Sequence, residues 1–232
     1  MLVTAIVLAA GAGRRIGGAV SKAYLPIAGR PLVLRTLDRI FAARTVAKVI
    51  LVVAGNEFER CNAMLRADSV LRSRPCVLQS GGATRQQSAK RGLEKIGAET
   101  DMVMIHDGAR PFVSVALIDR LIEAAVKKDA VVAGLPVRDT IKVVGSGRLI
   151  HSTPHRGALW EIQTPQVFKR ELIVAAHEAA EKNGLEATDD AMVVERFGKP
   201  VYVLEGERTN FKITLPEDVW LAEMMIREGR VP

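Results

Sequence analysis

Gly11 and Gly13 stand where a continuous apolar run, residues 3–10, breaks into small residues, and Arg14 and Arg15 follow at once. Glycine has no Cβ, so such a loop can take positive φ and bring backbone N–H groups close to an anion, while paired arginines add fixed positive charge. The pattern reads as a buried strand delivering a phosphate-binding loop, with Lys22 a short loop further on. A plain glycine-rich turn with solvated arginines accounts for the same residues. The spacing is not the dinucleotide fingerprint, because Ile16 stands where its third glycine belongs, and it is not a Walker A loop. A second turn, Gly81-Gly82, opens the run Ser80-Gly81-Gly82-Ala83-Thr84-Arg85-Gln86-Gln87-Ser88. Ahead of a helix it makes an anion or nucleobase cradle, or simply a tight turn with Thr84 or Ser88 as the cap. The third candidate is Asp107, in His106-Asp107-Gly108-Ala109-Arg110-Pro111-Phe112. A carboxylate ending a buried strand is costly unless it meets a ligand or a cation, so it faces either a bound group or Arg110. His106 has the chemistry of a general base, but beside a strand-end aspartate a structural role serves as well.

The elements that must position these residues follow from hydrophobic periodicity. Buried strands are expected at 3–9, 48–53, 76–78, 102–105, 130–137 and 201–204. Between them, Pro31 suits the first turn of a helix reaching about Arg44, with Leu34, Leu37, Ile40 and Phe41 inward. Further helices are expected at 56–67 with Phe58 and Leu65 inward, and after Ser88 with Ala89, Leu93 and Ile96 inward. Ser114 caps another, 114–128, with Leu117, Ile118, Leu121, Ile122, Ala125 and Val126 on one face. A helix at 169–182 puts Leu172, Ile173, Ala176 and Ala180 inward, Thr188 caps a shorter one, and Pro216 opens the last. Alternating strands and helices imply an α/β protein with a mostly parallel sheet, right-handed crossovers, and a ligand outside the carboxyl ends of the strands. Residues 138–150 break the rhythm: they alternate like a hairpin around Gly145-Ser146-Gly147. A lone two-stranded hairpin carrying Ile141, Val143, Leu149 and Ile150 is marginal in water, so a second copy of the chain is expected to cover it.

At 232 residues with 48% hydrophobic content, the chain suits one α/β domain, 1–232, with the arm 138–157 inserted. Lys and Arg outnumber Asp and Glu by 33 to 26, which points to an anionic partner. Aromatics at 4% offer no stacking platform, so nucleic acid is disfavoured and a phosphorylated small molecule favoured. Cys61 and Cys76 lack metal-ligand spacing and read as ordinary thiols of a reducing cytoplasm. No membrane span is expected, since no apolar run approaches roughly 18 residues. The apolar start has its arginines after it rather than before, the wrong order for a signal peptide.

Taken together, Leu8-Ala9-Ala10-Gly11-Ala12-Gly13-Arg14-Arg15-Ile16, Ser21-Lys22-Ala23-Tyr24-Leu25 and Gly29-Arg30-Pro31-Leu32 resemble the signature of sugar-nucleotide and polyol-phosphate nucleotidyltransferases. Four later segments narrow the resemblance: G-G-x-x-R-x-x-S from Gly81, H-D-x-A-R-P from His106, R-x-x-L-W-x-x-x-T-P-Q from Arg156, and N-x-K-I-T-x-P-E-D from Asn210. In this order they are similar to the 2-C-methyl-D-erythritol 4-phosphate cytidylyltransferases across nearly the whole chain. The resemblance implies a Rossmann-like sheet with a protruding dimerisation hairpin, and the conversion of CTP and the polyol phosphate to a cytidine diphosphate polyol and pyrophosphate. It implies that Arg15, Lys22 and Lys212 neutralise charge on the reacting phosphates. Ala10, Gly11, Gly13, Gly82, Ser88, Asp107 and Arg110 would hold the nucleotide, and Thr140, Arg156, Thr164 and Thr188 the polyol phosphate. Asp107 would also meet Mg²⁺ or another divalent cation. Ser21 and Ala23 depart from the family's usual P-K-Q, and Ala83 replaces an acid seen in some members. A ribitol-5-phosphate cytidylyltransferase and a non-catalytic nucleotide-binding protein are the rival readings.

Overall fold

A computed structural model describes residues 1–11 and 21–232. Gly13, Arg14 and Arg15 therefore lie outside the described residues. The elements run β1 (Val3–Ala9), β2 (Pro26–Ile27), β3 (Arg30–Pro31), α1 (Leu32–Ala42), β4 (Val46–Val53), α2 (Phe58–Ala67), β5 (Cys76–Ser80), α3 (Arg85–Leu93) and β6 (Met102–Asp107). They continue with α4 (Val115–Lys128), β7 (Ala130–Pro136), β8 (Val143–Val144), β9 (Ile150–Ser152), β10 (Trp160–Lys169), α5 (Arg170–Lys182), α6 (Asp190–Arg196), β11 (Tyr202–Glu205) and α7 (Pro216–Arg227). Seven strands form the central sheet in the order β11-β7-β10-β6-β1-β4-β5. All neighbours are parallel except β10, which runs against both β6 and β7.

Helices cover both faces, which is why the central strands are apolar throughout rather than alternating. Val3, Ala5 and Val7 of β1 pack with Leu37 and Ile40 of α1 and Leu117 and Leu121 of α4. Ile6, pointing the other way, packs with Leu93 of α3 and Ile173 and Ala176 of α5. Each fully buried valine, leucine or isoleucine among them contributes about 1.5–3 kcal/mol. Gly92 lets α3 lie close to the sheet, since a Cβ there would meet Ile6 and Val52. That close approach brings the amino end of α3 over the carboxyl ends of β1 and β5.

Several expectations are corrected. No strand is expected between the hairpin and the helix at 169–182, yet β10 fills that stretch even though Pro165 cannot donate to a ladder. The sheet accommodates it by breaking register between Ile162 and Gln166. Pro31 is the residue before α1 rather than its first, and residues 55–57 form a 3₁₀ turn ahead of α2. Val126 is 51% exposed, on the rim of the α4 stripe. Asp189, not Thr188, caps α6, accepting from the Met192 N–H at 2.9 Å.

The hairpin exists, but only β8 and β9 pair, as a separate two-stranded sheet. It leaves the main sheet where β7 ends and β10 begins, with the Val137 N–H on the Leu159 carbonyl at 3.0 Å. Its apolar residues face solvent in the isolated chain, Leu149 at 64% exposure and Ile150 at 55%. Among the described residues, no helix is long and apolar enough to cross a membrane.

Candidate active site

A cavity of about 330 Å³ opens at the carboxyl ends of β1, β5 and β6, where a parallel sheet is expected to bind its ligand. Its described lining includes Ala10 and Gly11 after β1, Lys22, the turn from Gly82 to Arg85, Ser88, Asp107 and Lys212. The structure thus brings together residues from the beginning, middle and end of the chain.

The Gly-Gly turn is fastened on several sides. The Gly81 N–H donates to the Val53 carbonyl at 2.7 Å, and a Cβ on Gly81 would land on that of Ala10. Ser88 Oγ accepts the Gly82 N–H at 3.1 Å and donates to the Thr84 carbonyl at 2.9 Å. Gln87 Oε1 takes the Ala83 N–H at 2.9 Å, and Thr84 caps α3 through the Gln87 N–H at 3.1 Å. The Gly82 and Ala83 amides are thus engaged by side chains, which corrects the expectation of an open amide cradle. Ser88 shapes the turn, and the positive character of the cavity comes from Lys22, Arg85 and Lys212.

Asp107, at the end of β6, is buried and surrounded by cations. Lys212 Nζ is 2.7 Å from Oδ2, Arg85 Nε 3.3 Å from Oδ1, and Arg110 Nε 3.9 Å from Oδ2. Burial alone would raise its pKa, but Arg85 and Lys212 outweigh that and hold the carboxyl well below the usual carboxylate range. Of the two expected alternatives, a bound group or Arg110, the pair with Arg110 is present, but it is the longest of three ion pairs.

Behind Asp107 runs a directed hydrogen-bond chain. The Asp107 N–H donates to Thr164 Oγ1 at 3.0 Å, and Thr164 Oγ1 lies 3.1 Å from His106 Nδ1. His106 Nε2 lies 3.1 Å from the Arg110 carbonyl, which can only accept, so Nε2 carries the hydrogen and Nδ1 accepts from Thr164. Burial holds the His106 pKa down to about 4, leaving the ring neutral near pH 7. His106 is accordingly structural. Thr164 and Arg110 sit behind Asp107 and are absent from the described lining.

Lys212 is aimed by its neighbours. Asn210 is fully buried and donates from Nδ2 to Gln163 Oε1 at 3.1 Å and to the Thr164 carbonyl at 2.8 Å. Its own carbonyl accepts from Arg110 at 2.8 Å. One residue beyond Lys212, the Ile213 N–H bonds the Ala109 carbonyl at 2.9 Å. Clamped on both sides, the segment leaves the lysine side chain with 36% exposure, directed at Asp107. Lys22 is set in a 3₁₀ turn anchored by buried Ala23 and Tyr24, so the departures at Ser21 and Ala23 leave it at the cavity wall.

Thr140, Arg156 and Thr188 are exposed and do not line this cavity. Arg156 stands at the base of the hairpin, donating to the Arg138 carbonyl at 2.7 Å. Sequence reasoning assigned no role to Arg85, Asn210 or His177, and gave Asp190 only that of an acid in the first turn of the helix after Thr188. Arg85 and Asn210 are fixed letters of the quoted motifs, a signal that was present. Among the described residues there is no cluster of three or more acids, histidines or cysteines fit for a metal ion, and Asp107 is the one carboxylate in the described lining.

Residues 3–228 match the family described as 2-C-methyl-D-erythritol 4-phosphate cytidylyltransferase. A Geobacillus kaustophilus protein of that name is 42% identical over 225 residues, covering 96% of each chain. The Anaerococcus prevotii 4-diphosphocytidyl-2C-methyl-D-erythritol synthase structure superposes with a TM-score of 0.86 at 30% identity, covering 97% of this chain and 96% of that one. The Thermus thermophilus 2-C-methyl-D-erythritol 4-phosphate cytidylyltransferase structure gives 0.79 at 37%, covering 98% and 100%. Matched in sequence and in structure over nearly its full length, the chain belongs to the 2-C-methyl-D-erythritol 4-phosphate cytidylyltransferase family.

Proposed function

We propose that this chain transfers the cytidylyl group of CTP to 2-C-methyl-D-erythritol 4-phosphate and releases pyrophosphate. The observation that carries the reading is the convergence of Lys22, Lys212, Arg85 and Asp107 on one cavity beside the Gly82 turn. An oxygen of the polyol phosphate attacks the α-phosphorus in line, the bond to the bridging oxygen breaks, and pyrophosphate leaves with that electron pair. A phosphate monoester is already a competent nucleophile, so no strong base is required, in keeping with a neutral His106 engaged on both sides. The protein's task is to position the two anions and neutralise the charge that grows on the α- and leaving phosphates. Lys22 and Lys212 supply that charge from the cavity wall, and Arg15 is assigned the same role. Ala10, Gly11 and Gly82 bound the nucleotide, Gly13 is assigned to it as well, and Ser88 holds the Gly82 turn in shape.

Mg²⁺ commonly binds through one or two carboxylates plus substrate phosphates, and Asp107 is the one carboxylate in the described lining; its Oδ1 and Oδ2 already face Arg85 and Lys212, so substrate phosphates would supply most of the ligation. Asp107 would hold it, and the bound ion would supply charge neutralisation across the triphosphate. Thr140 and Arg156 reach a polyol phosphate from a neighbouring subunit, in a homodimer built on the apolar hairpin, with Thr188 assigned to the same phosphate and Thr164 supporting Asp107. The free thiols Cys61 and Cys76 suit a cytoplasmic setting. The test is pyrophosphate release from CTP and Mg²⁺ with either polyol phosphate. Rapid release with 2-C-methyl-D-erythritol 4-phosphate and little with ribitol 5-phosphate supports the reading; the reverse, or release with neither, rejects it.

A further inference from the structure

Arg85 stands between two buried carboxylates. Its Nε is 3.3 Å from Asp107 Oδ1, and its Nη1 is 2.8 Å from Asp190 Oδ2. Asp190, the first residue of α6, is fully buried, and its other oxygen accepts from His177 Nε2 at 3.0 Å. Neither Asp190 nor His177 is among the described residues lining the cavity. Burying a carboxylate carries a desolvation cost of several kcal/mol, and α6 does not need this one as a cap, because Asp189 already fills that position. The partner that explains Asp190 is Arg85.

The two oxygens of Asp107 are divided, Oδ1 facing Arg85 and Oδ2 holding Lys212. Arginine on a carboxylate prefers the two-pronged pairing that occupies both oxygens. Here the shorter contact to Asp190 holds the guanidinium back from that pairing. We propose that Asp190 is a positioning residue: by drawing Arg85 toward α6, it keeps Asp107 Oδ2 open for Lys212 and so sets where the Lys212 ammonium stands in the cavity. The inference rests on the role of Lys212 in the proposed reaction. Asp190 acts through Arg85 and Asp107 and does not itself touch substrate.

The test is steady-state turnover of CTP with 2-C-methyl-D-erythritol 4-phosphate by the full chain, with Asp190→Asn placed in two backgrounds, parent and Lys212→Ala. In the parent background kcat is expected to fall roughly 10- to 100-fold, the scale of a catalytic group displaced by about an ångström, with little change in the KM for CTP. In the Lys212→Ala background the same substitution should cost less than about twofold, because the residue through which it acts is gone. Equal losses in both backgrounds, or an unchanged kcat in the parent background, overturn the proposal. Lys212→Ala alone separates the two readings: near-normal kcat in that variant removes Lys212 from the reaction and the inference with it. A large Lys212→Ala loss combined with equal Asp190→Asn losses overturns the role of Asp190 only. If thermal melting shows that Asp190→Asn does not fold, Arg85→Lys breaks the same bridge while keeping the positive charge. It is read by the same comparison, with the same outcomes deciding.

Discussion

Asp107→Asn and Lys212→Ala break the same 2.7 Å ion pair, yet their effects on stability should differ in size because the partners left behind are different. Without Lys212, Asp107 keeps Arg85 at 3.3 Å and Arg110 at 3.9 Å, and the lost side chain was already 36% exposed. Such a partly solvated pair contributes about 1 kcal/mol or less, which for a domain of this length is a fall in Tm of roughly 2–4 °C at most. Without the Asp107 charge, Lys212, Arg85 and Arg110 face one another across a neutral amide. The Arg110 side chain is only 11% exposed and Arg85 25%. Removing one partner of a buried pair costs about 3–5 kcal/mol, and the lower end applies because Arg85 keeps Asp190 and Lys212 can turn to solvent. About 3 kcal/mol corresponds to a fall in Tm of roughly 6–12 °C. The pH dependence provides a second reading. Because the native pKa of Asp107 is depressed, its contribution is fully present above the ordinary carboxylate range and is lost only as pH falls through the native value. The gap between parent and Asp107→Asn should therefore be constant from about pH 5 upward and close only well below pH 4. Differential scanning calorimetry on both variants across that range decides the matter. An Asp107→Asn protein that melts no lower than Lys212→Ala would refute the electrostatic account of the cluster.

Three further outcomes follow from the geometry. His106, held at about 4 by burial, stays neutral in the folded chain while the unfolded chain takes up a proton near 6.5, so His106 should weaken stability as pH falls across that window. Its titration should be missing from the kcat profile between about pH 5 and 8, and an activity limb near 6.5 that His106→Asn abolishes would contradict its structural role. Gly81→Ala drives a methyl group onto Ala10 and Ser88 Oγ, so it should displace the turn at the nucleotide and raise the KM for CTP by about tenfold or more, with an unchanged KM counting against that placement. In the proposed homodimer, mixing inactive Lys212→Ala with inactive Arg156→Ala chains under full subunit exchange should restore about a quarter of parental sites, since half the dimers would be mixed and each would have one intact site of two; no recovery would mean that Arg156 does not serve a neighbour.

Much of the architecture is legible in local patterns. The apolar run of β1 reads as a strand covered on both faces, and Leu117, Ile118, Leu121, Ile122 and Ala125 read as one buried helical stripe, because both depend on side-chain period alone. The caps of α3 and α4 at Thr84 and Ser114, and Pro216 at the start of α7, are equally local. Ordered motifs were enough to assign Lys22, Asp107 and Lys212 to one site, and the structure sets all three at one cavity. What lay beyond local reading was pairing over long separations. Strand β10 could not be seen, because whether Pro165 is tolerated depends on a register break against β7 that no local residue announces. Thr188 and Asp189 are both good caps by type, and the backbone chose Asp189. Most of all, the charges of Arg85, Asp190 and Lys212 look alike in sequence to solvated surface charges, and the end of a buried strand marks Asp107 without naming Lys212 as its partner. Only the closing of the sheet, which sets Asp107 and Lys212 together across 105 residues, decides that they share one buried site. Burial then makes their pairing obligatory, because an unpaired charge in that position is too costly to keep.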